Sequence, residues 1–329
     1  MQPDISKVTI GDNTNLILEM LDDLLLRPRV QLIKWSRRTK QTPNVKIGYP
    51  GQHLASLVTG VEGSRTGARG HDLIDASEVK SCSRIDQLDK CRQCHSAVAR
   101  LEQECPNCGS DNIKRNNDSK WLFGIRSEQE LKLLTKDIDR ILLMIGDHPN
   151  FDGGDYSTLR FQAFEIWPRN PRFRNFVALM ENYYRKIYLG HKGNDPAKNP
   201  APKNFWPYSF QFYMCNPVKV FSCTVTDAEA NPRVSIDYFV DPKADRSPLA
   251  AELMPSALLN ADETSVLAAL PDAALRPLLV AGAEPSVFRT AALKTQKLML
   301  NPLDEHARKH LALRDTDVPA AHSTPYSRI

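Results

Sequence analysis

Three side chains in one short stretch, Asp72, Glu78 and Lys80, have the types and spacing to hold a metal ion against a phosphate. They lie in GHDLIDASEVKSC, residues 70–82. Residues 78–82 alternate as a strand does. A period of two sets Glu78 and Lys80 on one face, with Val79 on the opposite, buried face. Asp72 stands six residues before Glu78, followed by Leu73 and Ile74. A turn at Asp75-Ala76-Ser77 would fold it back beside Glu78. Two carboxylates and one ammonium then converge, a trio that suits phosphodiester hydrolysis. The carboxylates and the Val79 carbonyl offer hard oxygen ligands for Mg2+. Such an ion neutralises charge on the phosphate and lowers the pKa of a bound water. Lys80 can orient or help deprotonate that water and offset the negative charge that develops. Asp75 reads as a turn residue. The plain alternative is a surface hairpin with an ion pair between neighbours.

Two similar spacings in the chain have sufficient structural explanations. Glu130-Leu-Lys132 follows Ser127 at the start of an amphipathic pattern, as in a capping box. Asp118-Ser-Lys120 closes the polar run KRNNDSK. Neither has an upstream acid in a strand-like context. The trio, by contrast, is preceded by the basic, glycine-rich segment GSRTGARG, residues 63–70. This reads as a loop, and its Arg65 and Arg69 could approach phosphates closely. Glu62, at the end of the preceding helix, is a candidate third acid for the same ion; its alternative is an exposed helix-terminal residue.

Five of the seven cysteines fall in residues 82–108. Cys91-Arg-Gln-Cys94 and Cys105-Pro-Asn-Cys108-Gly form two tight knuckles, each aiming two thiolates at one ion. The spacing predicts a closed, structural zinc ribbon, with Gly109 supplying a positive φ after the second knuckle. His95 is surplus to a four-cysteine site and expected to be exposed. Cys82, Cys215 and Cys223 sit in strand patterns and read as buried hydrophobes.

Around these groups the chain reads as helices at 12–26 and 52–60, a strand at 120–125 and an amphipathic helix over 127–146. Strand patterns follow at 160–167, 208–214, 218–225 and 233–240, with a helix at 171–188 between the first two. Strands mixed with helices in this order imply an α/β (α+β) core. From residue 246 to 315 the composition turns to Ala and Leu, which predicts a helical domain. Residues 316–329 read as a disordered tail.

The totals, 41% hydrophobic and 25% charged, are those of a globular protein. No apolar run is long enough to span a membrane. Nor does the N-terminus have a secretory layout, so a cytoplasmic location is expected. The net charge of +4 is mild, but its distribution is not even. Residues 27–47 contain seven Lys and Arg and no acid, and residues 169–192 interleave six with aromatics. Either is a solvated basic face or a surface for a polyanion such as DNA. Base-reading candidates are Arg84, Arg92, Arg100 and Lys114 around the ribbon, with Arg172 and Arg174 in the second segment.

The stretch HLASLVTGVEGSRTGARGHDLIDASEVKSCSRIDQLDKC, with the four-cysteine ribbon and DSKWLF after it, resembles type II restriction endonucleases with the PD-(D/E)XK nuclease core. Within them it is most similar to the MamI group, over about residues 50–125. The resemblance implies that Asp72, Glu78 and Lys80 are the catalytic trio of a nuclease core over 1–245. A zinc ribbon would be inserted in that core at about 88–112. It further implies a Mg2+-dependent homodimer that cuts both strands of DNA to leave 5′-phosphates. An interrupted palindrome with GAT and ATC half-sites is the target it suggests, and a cognate DNA methyltransferase the host partner. His71 replaces the proline of the motif name. The short spacing from Asp72 to Glu78 is similar to that of mismatch-repair nicking nucleases of the same superfamily, so single-strand nicking is an alternative. A non-catalytic, zinc-ribbon DNA-binding regulator is another.

Overall fold

The computed structural model describes residues 1–65 and 71–320. They form two compact units, each discontinuous in sequence. The first comprises Met1–Trp121, Ile138–Glu165 and Lys219–Ser247; the second comprises Leu122–Asp137, Ile166–Val218 and the chain from Pro248 onward. Arg69 and residues 321–329 of the tail lie outside the described residues. Among the described residues no helix is long and apolar enough to cross a membrane.

The first unit opens with α1 (Asn13–Leu21), a π-helical turn (Asp22–Leu26) and α2 (Arg27–Thr39), one helical run that continues past the expected end at residue 26. Pro28, which has no N–H to donate, falls directly after the π-helical turn, where the regular i to i−4 ladder is already interrupted. The next helix, α3 (Gly48–Thr59), ends at Gly60, whose φ of 68° closes it in the left-handed region. The strands, in chain order, are β1 (Ser77–Ser83), β2 (Asp89–Cys91), β3 (Ala97–Val98), β4 (Ile113–Lys114), β5 (Trp121–Phe123), β6 (Arg140–Asp147), β7 (Leu159–Ile166), β8 (Lys203–Phe205), β9 (Val218–Thr226) and β10 (Arg233–Phe239). Five of them form the main sheet in the order β1-β6-β7-β9-β10. The sheet is mixed: β1 runs parallel to β6, with Glu78 opposite Ile141, and β9 runs antiparallel to β10. Residues of the ribbon form a small sheet of their own, β3-β2-β4.

Two sequence expectations fail here. The helix expected over 127–146 ends after Glu128–Lys132 and one π-helical turn, and Arg140–Asp147 is strand β6. All eight of its residues are buried. A strand covered on both faces reads as a continuous apolar run, which periodicity alone does not separate from a buried helix. Gly146, the last residue of the expected helix, allows close packing instead: a Cβ there would lie 2.9 Å from both Ile85 and Phe161. The strand expected at 208–214 is a short helix, Phe210–Met214, capped by the Ser209 hydroxyl, which accepts from the Phe212 amide. All five of its residues are buried, so no polar face marked the period.

The second unit is built on aromatic packing. Phe123, Phe176, Phe205 and Phe212 pack with ring centroids 5.4–6.2 Å apart, mostly edge to face. The Ala/Leu-rich region forms short helices, among them Ala261–Ala268, which opens on an Asn260–Glu263 capping box.

In the first unit, α3 lies directly on β1. A Cβ on Gly51 would stand 2.1 Å from Ser81 Oγ. Gly51→Ala should therefore force the helix off the strand at a cost of about 1–3 kcal/mol. Urea denaturation measures this, and an unchanged midpoint would show that the contact gives way freely.

Candidate active site and metal centre

Strand β1 is an edge of the main sheet, and its outer side meets the chain that precedes it. Residues 62–64 pair antiparallel with 72–74: the Ser64 amide donates to the Asp72 carbonyl at 2.8 Å, and the Ile74 amide to the Glu62 carbonyl at 3.1 Å. After Ile74 the chain turns through Ala76, whose φ is 63°. The amides of Asp72 and Leu73 then donate to the Ser77 carbonyl. This tight return places Asp72 alongside the start of β1. Its Oδ2 accepts from the Val79 amide at 2.8 Å, and its Oδ1 accepts from the Gln52 side-chain amide on α3 at 3.0 Å. In an extended strand the N–H and C=O of one residue leave the backbone on the same side. The Val79 carbonyl is thus on the outer edge with Asp72.

Glu78 and Lys80 share a face of β1, as the period of two requires, and their side chains form an ion pair. Both are half-buried, while Val79 is buried. Burial pushes the Glu78 carboxyl above the ordinary glutamate range. The Lys80 ammonium pulls it back down, the nearby Asp72 charge raises it, and His71 lowers it. Two carboxylates, one ammonium and one imidazole therefore sit within electrostatic reach of one another. The grouping has hard oxygen donors suited to Mg2+. The Glu62 carboxylate stands apart from them: it is exposed and accepts from the Thr9 hydroxyl at 3.2 Å. Among the described residues it completes no three-carboxylate cluster with Asp72 and Glu78.

The turn carrying Asp72 is held from beneath by buried charges. Arg140, the first residue of β6, donates to Ser77 Oγ at 2.8 Å, to Asp75 at 2.5 Å and to Glu165 at 3.1 Å. Arg246 pairs with the other oxygen of Glu165 at 3.5 Å. Asp75 also accepts from the Ser77 amide, so it is a turn residue and, in addition, one end of this network.

The ribbon has four thiols whose sulfurs all lie within 4.8 Å of one another. Cys91 and Cys108 are 3.7 Å apart, and Cys94 and Cys105 are 3.4 Å apart. A tetrahedral zinc with ~2.3 Å bonds sets its sulfurs a little under 4 Å apart, so the cluster is compatible with zinc. The knuckles repeat one another. The His95 amide donates to the Cys91 carbonyl and the Gly109 amide to the Cys105 carbonyl. Both residues are left-handed, with φ of 63° and 71°. His95 is exposed. The buried Asp89 ties the ribbon down, accepting from Arg100, Arg115 and the Asn116 amide. Arg100 in turn lies 4.9 Å from the ring centroids of both Phe151 and Tyr156.

That arrangement removes Arg100 from the base-reading candidates, since its guanidinium is wholly buried. Arg172 is paired with Glu305 at 2.7 Å. Arg65, Arg92, Lys114 and Arg174 are exposed, and Arg84 is half-buried. Sequence reasoning missed Gln52 and Arg140. The signal for Gln52 was a polar residue in register with Ala55 and Thr59, on the stripe of α3 that packs inward.

A family model described as MamI restriction endonuclease matches residues 34–257, about two thirds of the chain. The type II restriction enzyme MamI of Microbacterium ammoniaphilum is 34% identical over 92 residues, which is 28% of this chain and 30% of that protein. The aligned stretch thus spans less than a third of the relative's length. No solved structure matches the chain.

Proposed function

Because the chain belongs to the MamI restriction endonuclease family, we propose that it is a type II restriction endonuclease. In this reading it hydrolyses both strands of DNA at a specific sequence in a Mg2+-dependent reaction that leaves 5′-phosphates. The observation that carries the reading is the meeting of Asp72 with the Glu78–Lys80 pair at the edge of β1. The short return through Ser77 and the parallel β1–β6 pair support a PD-(D/E)XK type of core.

Asp72 and Glu78, with the Val79 carbonyl, would hold the Mg2+. When bound, such an ion offsets charge on the scissile phosphate and activates a water. Gln52 and the Val79 amide fix both oxygens of Asp72, so that carboxylate is oriented before any ion arrives. Lys80 orients the attacking water and steadies the charge that builds on the phosphate. An interrupted palindrome with GAT and ATC half-sites, a two-fold homodimer to match it and a partner methyltransferase complete the reading. Arg65, Arg92 and Arg174, which are exposed, and the half-buried Arg84 are the candidate arginines to meet DNA, with Arg69 close to Arg65 in sequence.

Zinc in the ribbon would be structural, since four cysteines leave no open position. Its removal should free the ribbon, and the Asp89–Arg100 clamp beneath it, without unfolding the main sheet. Limited proteolysis after chelation should then cut first within residues 91–115. Cleavage elsewhere at equal rate would overturn this.

Digestion of large, mixed DNA with Mg2+, with and without EDTA and beside Lys80→Ala, tests the function. Discrete fragments, lost in both controls, are the expected result, and their ends give the site. Nicks alone would point to a nicking nuclease. Binding without cleavage would leave a DNA-binding protein and refute the catalytic reading.

A further inference from the structure

Helix α2 presents an outward stripe that neither the fold nor the cleavage site uses. Lys34, Trp35 and Arg38 share one helical face, at the spacing that stacks side chains on successive turns. Lys34 and Arg38 are exposed, Trp35 is 54% exposed and Leu32 beside it 40%. The Arg38 guanidinium lies 5.4 Å from the centre of the Trp35 ring. Basic residues in a last helical turn complement the helix dipole, which would account for Arg38. It does not account for a large aromatic left in water. We propose that this face of α2 is a contact surface for the sugar-phosphate backbone of duplex DNA beside the cleavage site, a proposal that rests on the function above.

Charge selects the partner. Residues 27–47 hold no acid, and the exposed Lys40 continues the stripe past the helix end. A second copy docking through this same face would set like charge against like, whereas a phosphate backbone is complementary. The three remaining arginines of the segment are engaged elsewhere. Arg27 pairs with Asp22 and Asp23, Arg37 lies 3.8 Å from Glu229, and Arg29 is buried.

Position is equally defined, because α2 is clamped to the turn that follows the strand carrying Glu78 and Lys80. Arg29 donates two bonds, of 2.7 and 2.8 Å, to the buried Asp86 just beyond β1. The helix after α2 lies on β1 through Gly51 and Ser81. The stripe is therefore held fixed relative to the carboxylates, as a surface that registers a duplex must be.

The full-length protein, without divalent ions, should be titrated with a short mixed-sequence duplex over a range of salt. For Lys34→Ala/Arg38→Ala the slope of log affinity against log salt should fall by about 1.8, near 0.9 for each phosphate that is no longer neutralised. Thermal unfolding should be unchanged, as both residues are exposed. Binding should also alter tryptophan fluorescence in the wild type, and Trp35→Phe should remove that change. An unaltered slope in the double variant, with wild-type binding intact, overturns this proposal alone. A change in sedimentation with no change in slope would make the face a self-association surface and overturn it as well. Failure of the wild type to bind any duplex would defeat the proposed function and this surface together.

Discussion

Lys80→Ala is expected to lower the single-turnover rate of DNA cleavage by about 10²–10⁴-fold, the usual range for loss of a positioned acid–base or charge-stabilising group. The fold should survive, because Lys80 is on the sheet edge and 27% exposed. Metal-free DNA affinity should stay close to that of the wild type. A second effect has a definite sign. Lys80 pulls the Glu78 carboxyl down, against burial and the Asp72 charge, which both raise it. Without Lys80 the Glu78 pKa must rise. Residual activity that needs ionised Glu78 should then fall away at a higher pH than in the wild type. Rapid-quench measurements across pH read both effects. A variant within about threefold of the wild-type rate would remove Lys80 from the mechanism.

Arg140→Met should cost about 3–5 kcal/mol of stability. The guanidinium is buried and joins Asp75 and Glu165, and the latter carboxylate has no exposed surface. Removing the cation leaves two carboxylates out of water, and that uncompensated charge is the main cost. Arg246 still faces Glu165, so Asp75 is the group left without a cation in this network. The loss should therefore fall hardest on the turn before β1 and displace Asp72 with it. Urea denaturation gives the stability, and hydrogen exchange at the amides of Asp72 and Val79 locates the loosening. A double variant, Arg140→Met with Asp75→Leu, should recover part of the loss. Equal destabilisation in single and double variants would show that Asp75 is not the source.

Much of the site was legible because local chemistry wrote it. The two CxxC knuckles, the positive φ of Gly109 and the shared face of Glu78 and Lys80 each follow from a few neighbouring residues. The return of Asp72 through Asp75-Ala76-Ser77 also follows from turn residues close in sequence. What stayed hidden depends on distant parts of the chain. Arg140 reaches Asp75 across 65 positions, and its strand has no alternation because both faces are covered. Gln52 gained its meaning only when α3 settled on β1. The Phe210–Met214 helix is buried on all sides, so the polar residues that would have marked its period are missing. Arg100 looked like a reader of DNA for a different reason. A charge alone does not tell whether Asp89 will claim it.

The outer side of β1 bears on how these variants behave in solution. An edge strand offers bare N–H and C=O groups that a strand of another molecule can join, and long exposed edges seed aggregation. Here Asp72 closes that opportunity: its amide meets the Ser77 carbonyl, and its carboxylate takes the Val79 N–H. One residue thus serves as a plug in the sheet's margin as well as a ligand in the reading above. Asp72→Ala would unseat the plug, and stacking of molecules through their open margins would become a route to precipitation independent of any lost chemistry. Lys80→Ala leaves the plug in place.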